Sequence, residues 1–165
     1  MSDGLLPTAV VALARRVIEE NRATGRKIAL AESCTGGLVA AALTEIAGSS
    51  AVLDRGFVTY SNEAKRELLG VSGDVIDAFG AVSIACVYAM AQGALARSNA
   101  DVAVAISGIA GPEGGSEHKP VGTVVFARAL RDSEEREAES KLFEGCDRSE
   151  VRLQATLCAL ELLLP

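Results

Sequence analysis

Three stretches of this 165-residue chain carry side chains suited to acyl or phosphate chemistry. The first, Glu32-Ser33-Cys34-Thr35-Gly36-Gly37, sets two hydroxyls and a thiol in a row before two glycines. A helix cap needs only one such side chain, so the run suits a nucleophile, or an anion held by backbone N–H groups at a helix start. The second is Tyr60-Ser61-Asn62-Glu63-Ala64-Lys65. With Asn62 as N-cap, Lys65 falls near the third helical position and its side chain can turn back toward Tyr60. A capped helix bearing a solvated lysine fits the same letters. The third, Ser107 to Gly115, holds four glycines and permits close backbone approach to a ligand, without the spacing of a Walker loop or of GxGxxG.

Elimination narrows the chemistry further. His118 is the only histidine and stands in a polar Glu-His-Lys-Pro stretch, so a multi-histidine metal site is excluded. A serine nucleophile would then need Lys or Tyr as its proton acceptor. No metal and no cofactor is implied. Cys34, Cys86, Cys146 and Cys158 form no CxxC pair, which speaks against zinc or thioredoxin chemistry and fits a reducing, cytoplasmic setting. A net charge of −6 without a Lys/Arg cluster disfavours nucleic acid, and 4% aromatics with no tryptophan leaves little for base stacking. Two rival readings stand at this point. Cys34 could be the nucleophile, its pKa lowered at a helix start, or the chain could be a nucleotide-binding module without turnover.

The elements that would position these groups alternate between helix and strand. Val10, Leu13, Ala14, Val17 and Ile18 keep helical spacing, so the apolar stretch from Leu5 reads as a first helix. A signal peptide would need a basic start, and Asp3 stands there instead. No apolar run nears the roughly 18 residues that span a bilayer, so no membrane partner is expected. Lys27 to Ala31 reads as a strand, and a helix is predicted from about Leu38 to Ala47. Val52 to Tyr60 reads as a strand, Asn62 to Leu69 as a helix, and Ser83 as the cap of a long alanine-rich helix to about Ser98. Asp101 to Ser107, Val121 to Arg128 and roughly Glu137 to Phe143 complete the strands, with Arg131 to Arg136 as a solvated hairpin end. Asp147 and Glu150 make a capping-box start for a last helix whose face carries Val151, Ala155, Cys158 and Leu162. The sum is one α/β domain over residues 1–165, a three-layer α/β/α sandwich on a mixed, mostly parallel five-stranded sheet with one antiparallel strand.

Five blocks taken together, Glu-Ser-Cys-Thr-Gly-Gly (32–37), Tyr-Ser-Asn-Glu-Ala-Lys (60–65), Gly-Ala-Val-Ser (80–83), Ser-Gly-Ile-Ala-Gly-Pro (107–112) and Lys-Pro-Val-Gly-Thr (119–123), resemble the CinA C-terminal domain family. The resemblance runs in order over nearly the whole chain. It implies a nicotinamide-nucleotide amidase that converts nicotinamide mononucleotide to nicotinate mononucleotide and ammonia in pyridine-nucleotide recycling. By position it implies Ser33 as nucleophile with Tyr60 and Lys65 as its activators. It further implies Thr35, Gly36, Gly37, Asn62, Ser107, Gly108 and Arg148 around the nucleotide, Arg148 being suited to phosphate. The partner expected is a small pyridine nucleotide, and homo-oligomerisation is left open.

Overall fold

The computed structural model describes residues 4–165. The chain runs α1 (Thr8–Thr24), β1 (Ile28–Glu32), α2 (Leu38–Thr44), a short 3-10 turn (Ser49–Ala51), β2 (Leu53–Val58), α3 (Asn62–Leu69), α4 (Gly73–Phe79) and α5 (Ile84–Ala96). β3 (Val102–Gly108), β4 (Thr123–Leu130), β5 (Arg136–Leu142) and α6 (Arg148–Leu162) follow. The strands form one sheet in the order β2-β1-β3-β4-β5. β1 is parallel to both β2 and β3, while β4 is antiparallel to its neighbours β3 and β5. Four strands therefore point one way and β4 alone the other, as a hairpin appended to a parallel sheet requires.

Alternation along the strands builds two different cores. Ile28 and Leu30 of β1, Val104 and Ile106 of β3, and Phe126 of β4 face one way, against α1, α2 and α6. Ala29, Ala31, Ala103, Ala105 and Ala127 face the other, against α5 and the ends of α3 and α4. Leaving so many alanines on one face lets α5 lie close to the sheet, and the fit is tight beyond it. A methyl group at Gly93 of α5 would run into the Leu69 carbonyl at the end of α3. No helix among the described residues is long and apolar enough to cross a membrane.

Several element ends differ from their sequence expectation. α2 stops at Thr44, whose hydroxyl bonds back to the Ala40 and Ala41 carbonyls, instead of reaching Ala47. α4 lies where Gly70, Gly73 and Gly80 mask any helical signal, and Ser72 caps it. β2 ends at Val58, leaving Thr59 and Tyr60 as an exit segment. On α6 the buried stripe is Val151, Ala155, Thr156, Ala159 and Leu160, with Cys158 and Leu162 only at its margin. The Asp147–Glu150 capping box is present in both directions.

Candidate active site

The carboxyl ends of β1 and β3 and the exit of β2 meet beside α3, and a cavity of about 170 Å³ opens there. Ser33 follows β1 directly, its N–H donating to the Ile106 carbonyl of β3 at 3.0 Å, so the residue continues the strand's alternation. Glu32 takes the bulky face and Ser33 the alanine face, toward α3. There the Lys65 side-chain nitrogen lies 3.0 Å from Ser33 Oγ.

Lys65 reaches that point because of how α3 begins. Ser61, and not Asn62, is the cap, its hydroxyl accepting from the Ala64 N–H at 3.0 Å. Lys65 is thus one position later than the sequence reading placed it. Helical side chains lean toward the amino terminus, which carries Nζ back over the exit of β2. It contacts the Thr59 carbonyl at 2.8 Å and the Tyr60 carbonyl at 3.1 Å. Lys65 is only 1% exposed, and no carboxylate among the described residues pairs with it. Burial lowers its pKa from the ordinary lysine value, against the opposing influence of nearby Cys86 and Cys34.

Around the pair, Asn62, Ser107, Gly108, Tyr60 and Arg148 line the same cavity, together with Ala81, Val82 and Ala110, which residue chemistry alone does not single out. Gly108 has no room for a side chain, because a Cβ there would stand 2.8 Å from Val124, 3.0 Å from the Thr123 carbonyl and 3.1 Å from Cys34 Sγ. Tyr60 is largely exposed at the mouth. Its phenol oxygen accepts from Arg148 at 3.2 Å, and Arg148 also donates to the Gly111 carbonyl. Arg148 has no acidic partner among the described residues.

Thr35, Gly36 and Gly37 do not line the cavity. Thr35 is fully buried and gives its hydroxyl to Glu32 Oε1 at 2.6 Å. The N–H groups of Gly37 and Val39 also donate to Oε1, and that of Ala40 to Oε2. The anion expected at this helix start is therefore the chain's own Glu32 carboxylate. Sequence reasoning passed over Glu32, although an acid closing a buried Ile-Ala-Leu-Ala strand should have raised the question of its partners. Cys34 lines the cavity with a thiol that burial pushes up to about 11, the reverse of the lowered value a thiolate nucleophile needs.

A buried lysine in contact with a serine hydroxyl, beside polar groups and an arginine at the mouth, can support acyl transfer with the lysine as base. Residues 10–165 match the CinA C-terminal domain. The chain is 56% identical over 143 residues to the nicotinamide-nucleotide amidohydrolase PncC of Enterobacter agglomerans, covering 87% of this chain and 86% of that protein. It is 53% identical over 151 residues to the protein of the same name from Escherichia coli K12, covering 92% and 90%. Among solved structures, the competence/damage inducible protein CihA of Agrobacterium tumefaciens superposes with a TM-score of 0.94 at 51% identity, covering 99% of this chain and 97% of that one.

Proposed function

This chain belongs to the CinA C-terminal domain family, and on that premise we propose that it hydrolyses the carboxamide of nicotinamide mononucleotide to nicotinate mononucleotide and ammonia. The single observation that carries the reading is the 3.0 Å contact between Ser33 Oγ and Lys65 Nζ in a buried, acid-free setting. A neutral amine has two N–H bonds and one lone pair. With the Thr59 and Tyr60 carbonyls taking the two hydrogens, the lone pair is left for the Ser33 hydroxyl.

In the first half-reaction Ser33 Oγ attacks the carboxamide carbon and its proton passes to Lys65. The tetrahedral intermediate collapses, Lys65 returns the proton to the departing nitrogen, and ammonia leaves behind an ester on Ser33. Water, deprotonated by Lys65, then attacks the ester. Nicotinate mononucleotide is released and Ser33 regains its hydrogen. Tyr60 serves through its carbonyl, which orients Lys65, and through its phenol, which holds Arg148 at the mouth.

The cavity is smaller than the roughly 300 Å³ at which drug-sized pockets begin, so it suits the carboxamide-bearing ring, with the phosphate outside on Arg148. Asn62 and Ser107 are the neutral polar groups available to hold the carboxamide. Pyridine-nucleotide recycling in a reducing cytoplasm is the setting that goes with this chemistry and with four free cysteines. The test is ammonia release from nicotinamide mononucleotide against the riboside and free nicotinamide. The nucleotide should be much the best substrate. Binding without ammonia release would make this a nucleotide-binding module, and equal turnover of the riboside would remove Arg148 from phosphate recognition.

A further inference from the structure

Glu32 is 1% exposed, and no lysine or arginine among the described residues pairs with it. Its charge is met by four hydrogen bonds: Thr35 Oγ1 at 2.6 Å, and the N–H groups of Gly37 at 3.2 Å, Val39 at 3.0 Å and Ala40 at 3.1 Å. Gly37, the residue before α2, has a φ of 102° and no side chain with which to cap the helix. A serine or aspartate adjacent to a helix is the ordinary device for that purpose. Here the cap comes from the last residue of β1, and the segment between cap and helix is Ser33 to Gly37.

Glu32 is also tied into the base. Its carbonyl accepts from the Thr59 N–H at 2.8 Å, the Thr59 carbonyl accepts from Lys65 Nζ at 2.8 Å, and Lys65 Nζ lies 3.0 Å from Ser33 Oγ. The peptide bond from Glu32 to Ser33 closes this into a ring. From the far side, Arg152 of α6 donates to the Cys34 carbonyl at 3.0 Å. The loop is thus held on both flanks, and the flank carried by the Glu32 carboxylate belongs to no part of the proposed chemistry.

We propose that Glu32 is a positioning residue, whose carboxylate, acting through Thr35 and the first turn of α2, holds the Ser33 hydroxyl on Lys65. The inference rests on the reading of Ser33 and Lys65 as nucleophile and base. It makes Thr35 part of the same device. The Glu32 carboxylate touches neither substrate nor base, so its loss should lower the rate of acylation and leave nucleotide binding alone. Displacements of about 1 Å at a reacting atom are enough to cost up to about a hundredfold in rate.

The test uses Glu32→Gln, Thr35→Val and Thr35→Ser, with kcat and KM on nicotinamide mononucleotide, thermal unfolding, and the rate at which a fluorophosphonate labels Ser33, read by intact mass. Glu32→Gln keeps the shape but loses the charge and one acceptor. We expect its kcat to fall about tenfold or more with KM within about twofold. Thr35→Val should lose several-fold in kcat, Thr35→Ser should recover most of that loss by keeping the hydroxyl, and Ser33 labelling should slow in step with kcat. Unchanged kcat and labelling with a lowered melting temperature would make the carboxylate a helix cap and nothing more, and would overturn the proposal. So would a rise in KM at constant kcat with Ser33 labelling unchanged. Should Glu32→Gln fail to fold, the Thr35 pair decides alone. A wild-type chain inactive on the nucleotide would sink the substrate reading, while slower Ser33 labelling in Thr35→Val would still support the positioning role.

Discussion

The two faces of the sheet are made by the same strands and are equally buried, yet they do different work. On one, Ile28, Leu30, Val104, Ile106 and Phe126 interlock with α1, α2 and α6. On the other, Ala29, Ala31, Ala103, Ala105 and Ala127 present a low surface to α5. At about 0.8 kcal/mol per buried methylene, the bulky face contributes most of the sheet's hydrophobic stabilisation. The alanine face contributes proximity, since α5 and the α3 end packed on it at Gly93 lie near enough for Lys65 to reach Ser33. Parity continues past the strand ends. Glu32 extends the bulky side into a structural clamp, and Ser33 extends the lean side into the cavity.

If reaction and stability are divided this way, substitutions on the two sides should fail differently. Ser33→Ala should cut kcat by about 10⁴-fold or more, about 5 kcal/mol of transition-state stabilisation, with an unchanged melting temperature. Lys65→Arg should be nearly as inactive, because arginine cannot give up its proton. The wild-type kcat/KM should rise with pH and level off at a pH below the ordinary lysine value, since burial lowers the Lys65 pKa and the neutral amine is the active form. The sign for stability is the same. Between the lowered folded value and the ordinary one, the unfolded chain binds more protons, so this group's contribution improves as pH rises. Most of the wild-type rate surviving in Lys65→Arg would leave Lys65 as a fixed charge.

Among the apolar residues of the bulky face, short of Glu32, the expected failure is unfolding without a chemical defect. Phe126→Ala should cost about 3–5 kcal/mol in a denaturant melt, with kcat per folded molecule near that of the wild type. The lean face should break by addition. Ala105→Leu forces α5 outward, costs about 1–3 kcal/mol, and should also lower kcat, because α5 carries α3 with it. A kcat untouched in Ala105→Leu would separate α5 from the placement of Lys65.

Much of the fold could be read beforehand, because alternation, caps and turn residues are local. The Val-Ala-Val-Ala-Ile run of β3 already contains both faces, and Asp147 with Glu150 announces α6. The ends were less legible. Ser61 and Asn62 are both good caps, and only the bond from Ala64 decides between them. In the site, Ser33, Tyr60, Asn62, Lys65, Ser107, Gly108 and Arg148 share one cavity, although up to 115 positions separate Ser33 from Arg148. Thr35, Gly36 and Gly37 sit apart because Glu32 uses the donors around them. No spacing rule reports that a neighbouring carboxylate has already occupied a helix start.

The smallest effect on turnover is expected at Cys34, one residue from the largest. Both side chains border the cavity, but alternation turns them apart. Ser33 meets Lys65, whereas Cys34 packs among the bulky-face residues at 6% exposure, its sulfur against Gly108. Burial pushes its thiol up to about 11, with the Glu32 carboxylate adding to that rise. At pH 7 only about one such thiol in 10⁴ is ionised, and the thiolate is the reactive form. Cys34→Ala should therefore keep kcat within a few-fold and cost about 1 kcal/mol in stability for the lost sulfur. Alkylation of Cys34 near neutral pH should be slow for the same reason. An inactive Cys34→Ala beside an active Ser33→Ala would reverse the assignment and break the division between the faces, because the reacting atom would then lie on the side that holds the fold together.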